Sequence, residues 1–225
     1  MMLYGTHSSV RGFTLIELMI STTILLLLML TASYSYRIIV DRWDTVLSDF
    51  YKEEQVSKGL NIVGSVLEGV HGYIVTNDKN QPKLFFVGQN QSLLSVTSSG
   101  IFSENDVEIF RLSFIEQDGK TNIIYQAKNT QVFLLLNTYQ EIEFDYEITL
   151  FRDLDSAELR YYGWRSSELI GTTDPSWFND FSGLESDLFP LLIELSFLKD
   201  GKAAVIPISL DQNVSKLFSP YIEEQ

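Results

Sequence analysis

The sequence predicts an α+β protein: a long N-terminal α-helix whose first half spans a membrane, laid against an antiparallel β-sheet head. Three observations carry this. Phe13 to Ala32 is an apolar run of about 20 residues, the length that crosses roughly 30 Å of hydrocarbon. From Tyr36 to Val70 apolar residues recur at three- and four-residue spacing, with no Pro before Pro82. Beyond His71 the period drops to two, and Asp-Gly pairs punctuate the apolar runs. The expected organisation is a short polar head over 1–12, a transmembrane part of the helix over 13–35, its continuation over 36–70, and a β-rich head over 71–225.

The N-terminal run admits two readings. One is an ordinary secretory signal, cut at small residues such as Thr31-Ala32-Ser33. The other places the cut before the apolar run, after Gly12, and keeps the run as an anchor. Glu17 favours the second. A carboxylate in hydrocarbon is costly, so an acid just inside such a run marks a functional position by default. Phe13 and Glu17 are four apart and share one helix face. Arg11 precedes the span and the head carries no acid, which holds that head on the cytoplasmic side; Arg37 and Arg42 on the far side weaken this signal.

The helix continues past the span. Tyr36, Ile39, Val40, Trp43, Val46, Leu47 and Phe50 form one stripe, and Leu60, Val63, Leu67 and Val70 continue it. Gly59, Gly64 and Gly69 weaken the last turns. A helix from about Thr14 to about Leu67 would measure about 80 Å at 1.5 Å per residue. Trp43 and Phe50 are expected to pack on the sheet rather than on a ligand.

In the head, Leu84–Val87, Leu93–Val96, Glu108–Phe114, Ile123–Tyr125 and Val132–Leu136 read as strands. Ile142, Phe144, Tyr146, Ile148 and Leu150 alternate with polar neighbours, as in a half-buried strand. The late strands are Leu191–Leu198 and Ala203–Leu210. Asp118-Gly119 and Asp200-Gly201 are hairpin turn signals. The stretch from about Asp153 to Pro190, with Trp164 and Trp177, reads as a long surface excursion.

Composition narrows the function. A net charge of −14 repels phosphate and argues against nucleic-acid partners. The chain has no Cys, hence no disulfide, thiolate metal site or Cys nucleophile. No nucleophile elbow, P-loop, dinucleotide fingerprint or H-E-x-x-H occurs, so no catalytic residue and no cofactor is expected. His71 reads as a solvent-facing turn residue. Asp153, Asp155 and Glu158 have a faint calcium look but lack the Gly and terminal Glu of an EF-hand loop, and read as a solvated acidic turn.

The stretch Arg11-Gly12-Phe13-Thr14-Leu15-Ile16-Glu17, running into Leu18–Leu30, is similar to the cleavage and methylation signature of type IV prepilins and of the pseudopilins of type II secretion. The resemblance is close over the first thirty or so residues. It implies a cytoplasmic leader over 1–12, cut by a prepilin peptidase between Gly12 and Phe13. It also implies N-methylation of the Phe13 amine and a role for Glu17 in subunit assembly, its carboxylate answering a neighbour's N-terminal amine. Members of the family are non-enzymatic inner-membrane subunits of Gram-negative bacteria, single-pass, with a periplasmic head, working with an inner-membrane assembly platform. Leu159–Trp164, Trp177 and Leu188–Leu195 also resemble, loosely, the C-terminal portion of the J-type minor pseudopilins. Partners would then be I- and K-type-like minor pseudopilins at a pseudopilus tip. A minor type IV pilin involved in pilus assembly or adhesion stays open beside it.

Overall fold

Helix α1 runs from Leu15 to Glu68, 54 residues without a break. The computed structural model describes residues 15–102 and 106–210, and of residues 38–55 the backbone alone. The side chains of Trp43 and Phe50, expected on the sheet, therefore lie outside the described residues. The chain divides into two compact units with the boundary between Glu54 and Gln55.

In the second unit the helix is amphipathic and packed. Val63, Val66 and Leu67 are fully buried, with Val70 just beyond the helix end, at the three- and four-residue spacing of one face. The helix stops where strand residues take over its last carbonyls. Thr97 Oγ1 donates to Val66 O at 2.8 Å, and the Ser98 amide donates to Gly69 O at 2.9 Å. Gly69 is required at this junction, since a Cβ there would lie 2.5 Å from Thr97 Oγ1.

Among the described residues three antiparallel sheets follow. β1 (Ile74–Thr76) and β2 (Pro82–Leu84) form a short hairpin. A six-stranded sheet has the order β10-β3-β4-β5-β6-β7, with β3 Val87–Gln89, β4 Ser92–Thr97, β5 Glu108–Gln117, β6 Lys120–Asn129, β7 Tyr146–Leu154 and β10 Phe181–Ser182. A four-stranded sheet has the order β12-β11-β8-β9, with β8 Ser156–Gly163, β9 Ser176–Phe178, β11 Leu192–Lys199 and β12 Lys202–Ser209. A one-turn helix α2 (Gly183–Ser186) follows β10. Both Asp-Gly pairs are two-residue hairpin turns. Asp118 and Gly119 have φ of 53° and 72°, Asp200 and Gly201 of 50° and 75°, and they join Gln117 to Lys120 and Lys199 to Lys202.

The main core lies between the two larger sheets and the end of α1. It gathers Val63 and Leu67 with Phe86, Leu112, Tyr125, Leu159, Tyr161, Ile193 and Leu195. Phe86 makes edge-to-face contacts with Tyr161, Phe181 and Phe189 at centroid distances of 6.0, 6.1 and 5.4 Å. Tyr161 ties the sheets together. Its hydroxyl donates to Gln89 O at 2.9 Å, and its ring lies so close to Gly88 that a Cβ there would sit 2.5 Å from the ring. Burial pushes the Tyr161 phenol far above its ordinary pKa, so it stays protonated and donating. A smaller core of Val75, Phe85, Val96, Ile109 and Leu135 occupies the opposite face of the six-stranded sheet.

Four expectations are corrected. Asp153–Pro190 is no surface excursion: it supplies β8, β9 and β10, and Leu159 and Tyr161 are fully buried. Charged Glu158 and Arg160, which alternate with those two, hid the pattern of a strand with one wet face. Val132–Leu136 belongs to no strand. It is an extended segment that turns Phe133 and Leu135 into the second core and leaves Val132, Leu134 and Leu136 exposed. Leu84–Val87 is two strand ends with Phe85 and Phe86 between them, and these neighbours enter different cores. The strand expected from Ile142 begins only at Tyr146, because Ile142 and Phe144 are drawn into the second core before pairing with β6 starts.

Candidate functional site

The candidate site begins where α1 does. From Leu15 to Arg37 the helix is 23 residues long with a mean hydropathy of 2.2, and none of that stretch is buried. Leu25, Leu26, Leu27 and Leu28 are each more than half exposed. Soluble proteins rarely expose so large a continuous apolar surface, whereas 23 helical residues suffice to cross a bilayer. Three threonines of the helix also hide their hydroxyls. Thr22 and Thr23 donate to Met19 O at 3.0 and 2.9 Å, and Thr31 donates to Leu27 O at 3.0 Å. In hydrocarbon these back-bonds leave no hydroxyl proton unsatisfied. The apolar pattern alone did not single out these three threonines; the back-bonding habit of helical Thr would have.

Glu17 is the sole charged residue between Leu15 and Tyr36. It lies in the first turn of α1 and is exposed. A carboxylate there faces the positive end of the helix dipole and the amides the first turn leaves without helical partners. Gly12 and Phe13, the expected cleavage and methylation positions, lie outside the described residues.

Of the three acids with a faint calcium look, Asp155 and Glu158 have side-chain partners in the head. Asp155 accepts from Lys120, whose ammonium holds the carboxyl below its ordinary pKa through that hydrogen bond. Glu158 accepts from Asn90 and Ser196, both at 3.5 Å. Asp153 has φ 57° at the passage from β7 toward β8, where its amide donates to Asn122 Oδ1 at 3.0 Å. Among the described residues no three His, Asp or Glu side chains gather so as to hold a metal ion. His71 is half-buried rather than solvent-facing, with Nδ1 3.3 Å from Gly69 O. Glu108 is the buried acid of the head, 1% exposed. It accepts from the Phe102 amide and the Tyr125 hydroxyl, both at 2.8 Å. Burial, and then the Glu108 charge, push the Tyr125 phenol far up, so it serves as a fixed donor.

A second feature was not foreshadowed by sequence reading. A groove of about 570 Å³ opens between the last turns of α1 and β7. Lys58, Arg152 and Lys199 line it together with apolar Val56, Ile62 and Ile148, and among the described residues no acid does. These three cations are far apart in the chain, so no local pattern groups them.

Residues 7–33 match the model of the prokaryotic N-terminal methylation motif, the motif of type IV pilin-like proteins. No curated protein matches the chain. The match spans Gly12, Phe13, Glu17 and most of the exposed apolar stretch of α1. Proteins with this motif are structural subunits, processed by a prepilin peptidase and built into pilin-like assemblies. The N-terminal segment of this chain, lone acid and membrane-length helix together, is thus a type IV pilin-like methylation motif followed by an α+β chain.

Proposed function

We propose that this chain is a minor pseudopilin of a type II secretion system, J-type-like, that joins the tip of a pseudopilus and supports protein export. In this reading residues 1–12 are a cytoplasmic leader removed between Gly12 and Phe13, and the Phe13 amine is methylated. Residues 13–35 anchor the subunit in the inner membrane, 36–70 carry the helix onward in the periplasm, and 71–225 form the head. Glu17 takes the N-terminal ammonium of a neighbouring subunit as its counter-charge. The tip partners are I- and K-type-like minor pseudopilins, and the assembly platform in the inner membrane adds the subunit to the fibre.

The observation that carries the reading is a lone carboxylate at the start of a membrane-length apolar helix, within a matched methylation motif. A carboxylate drawn into hydrocarbon is costly unless it meets a counter-charge. An ammonium from a second subunit would offset this and set the axial register between helices. The Leu- and Ile-rich faces lose nothing on moving from lipid to a bundle of like helices, so extraction into a fibre exposes no new apolar surface to water. Mass analysis of the membrane-extracted protein tests the first step. Material beginning at a methylated Phe13 supports the reading, and an intact leader overturns it. Deleting the gene then separates secretion from piliation: loss of export with pili intact supports the pseudopilin role, and loss of pili with export intact replaces it with a minor pilin.

A further inference from the structure

The groove between α1 and β7 is a cationic trough on an acidic protein. The chain carries 16 Lys and Arg against 30 Asp and Glu. Several cations elsewhere in the head answer acids: Lys83 with Asp187, Lys120 with Asp155, Lys128 with Asp145, Arg160 with Glu194 and Arg165 with Asp180. Among the described residues, Arg152 and Lys199 have no carboxylate within salt-bridge distance, and the Lys199 ammonium instead donates to Arg152 O at 2.8 Å. The acids next to them in sequence, Asp153 and Asp200, act on Lys120. The groove floor is apolar, and β7 is the last strand of its sheet, with a register irregularity at the Leu150 level of its pairing. Such a site suits an extended segment that alternates carboxylates with apolar side chains.

This chain exposes the acid face of such a segment, while its Ile142 and Phe144 pack against the second core. Glu141-Ile142-Glu143-Phe144-Asp145-Tyr146-Glu147-Ile148 alternates acid and apolar residue without exception. All four acids are exposed, Asp145 while paired with Lys128 and Glu147 while accepting from Gln126, and Tyr146 and Ile148 are exposed as well. The segment runs directly into the strand that forms the groove wall. It cannot fold back into its own groove, because no residues remain between them for a turn. The carboxylate row leads straight into β7, and β7 shares the groove with Lys58 of α1 and Lys199 of β11, so row and groove meet only between molecules.

We propose that the α1–β7 groove receives the Glu141–Glu147 segment of a second copy of this chain, with its carboxylates against Arg152 and Lys199. The net charge of −14 on each copy opposes association at long range. At physiological salt that repulsion is screened beyond about 8 Å, whereas charges in contact across the groove are not. The contact does not depend on the secretion reading and holds for any fibre or membrane patch that brings two heads together.

The test uses charge reversal in the full-length chain in detergent, read by sedimentation equilibrium. One variant carries Glu143→Lys and Glu147→Lys, the other Arg152→Glu and Lys199→Glu. Each alone repels itself across the contact, and its self-association should weaken by about tenfold or more. An equimolar mixture should restore association, because each variant then offers the other a matched row. Recovery on mixing also shows that both variants are folded. A monomeric wild type, unchanged association of the single variants, or a mixture no tighter than its components would each overturn the proposal. So would binding of anionic phospholipid vesicles that is lost with Arg152→Glu and Lys199→Glu while self-association is unaffected, which would assign the groove to lipid.

Discussion

Two stretches of one helix solve opposite problems. From Leu15 to Arg37, α1 is apolar all round and none of it is buried. Near its end, only the face of Val63, Val66 and Leu67 is apolar and buried, while Lys58 and Glu68 stay exposed. The first stretch needs no protein partner for its leucines, since lipid is as apolar as they are. The second is stable because one face leaves water for a packed core. A substitution should therefore act on assembly in the first stretch and on folding in the second.

The sharpest break of this contrast is Glu17→Gln. It should leave membrane insertion and the thermal midpoint of the head unchanged, yet lower crosslinking into assemblies by more than about tenfold, because the neighbour's amine loses its counter-charge. Normal assembly of the variant would remove Glu17 from the proposed role. Next is a matched pair. Leu67→Ala should destabilise the head by about 2–5 kcal/mol through transfer and cavity terms. Leu26→Ala should leave the unfolding midpoint of the detergent-solubilised chain where it was, and equal losses from the two would erase the distinction between them. Gly88→Ala tests the head alone. Its new methyl meets the Tyr161 ring, and the strain of overpacking should cost about 1–3 kcal/mol, seen as a lower urea midpoint.

The smallest effect concerns pH. The Arg165 guanidinium holds Asp180 with two hydrogen bonds, at 2.7 and 2.9 Å, and keeps its carboxyl below the ordinary value. Lys120 does the same to Asp155. A depressed folded pKa means stability that is full above the unfolded value, about 3.9, and is lost as pH falls through the folded one. Both pairs are exposed, so Asp180→Asn should change the midpoint by less than about 2 °C near neutral pH and flatten only the acid limb below pH 4. A large change at neutral pH would mean that the pair holds more of the four-stranded sheet than its exposure suggests.

Much of the architecture could be read directly from the residues. The apolar run with its single acid gave a membrane-length helix and a candidate site, because lipid imposes a length and a charge rule on any segment that crosses it. The hairpins at Asp118-Gly119 and Asp200-Gly201 were visible because a two-residue turn demands positive φ at both positions. Strands such as β5 and β11 were visible by their apolar residues. Reading failed where one segment serves two neighbours. Phe85 and Phe86 look like one strand but enter separate cores, and Val132–Leu136 looks like a strand but is a cover.

The amino-acid order by itself thus settled the membrane-length helix, its lone carboxylate and the change from helical to strand period. Each is a local pattern set by solvent, dipole or dihedral preference. Tertiary structure alone decided that Tyr161 would reach across to Gly88 and Gln89, that Ser156–Gly163 would become a central strand, and that Lys58, Arg152 and Lys199 would share one groove. Those outcomes depend on strand order and on residues dozens to more than a hundred positions apart. No short-range spacing encodes which distant side chains a folded sheet brings together.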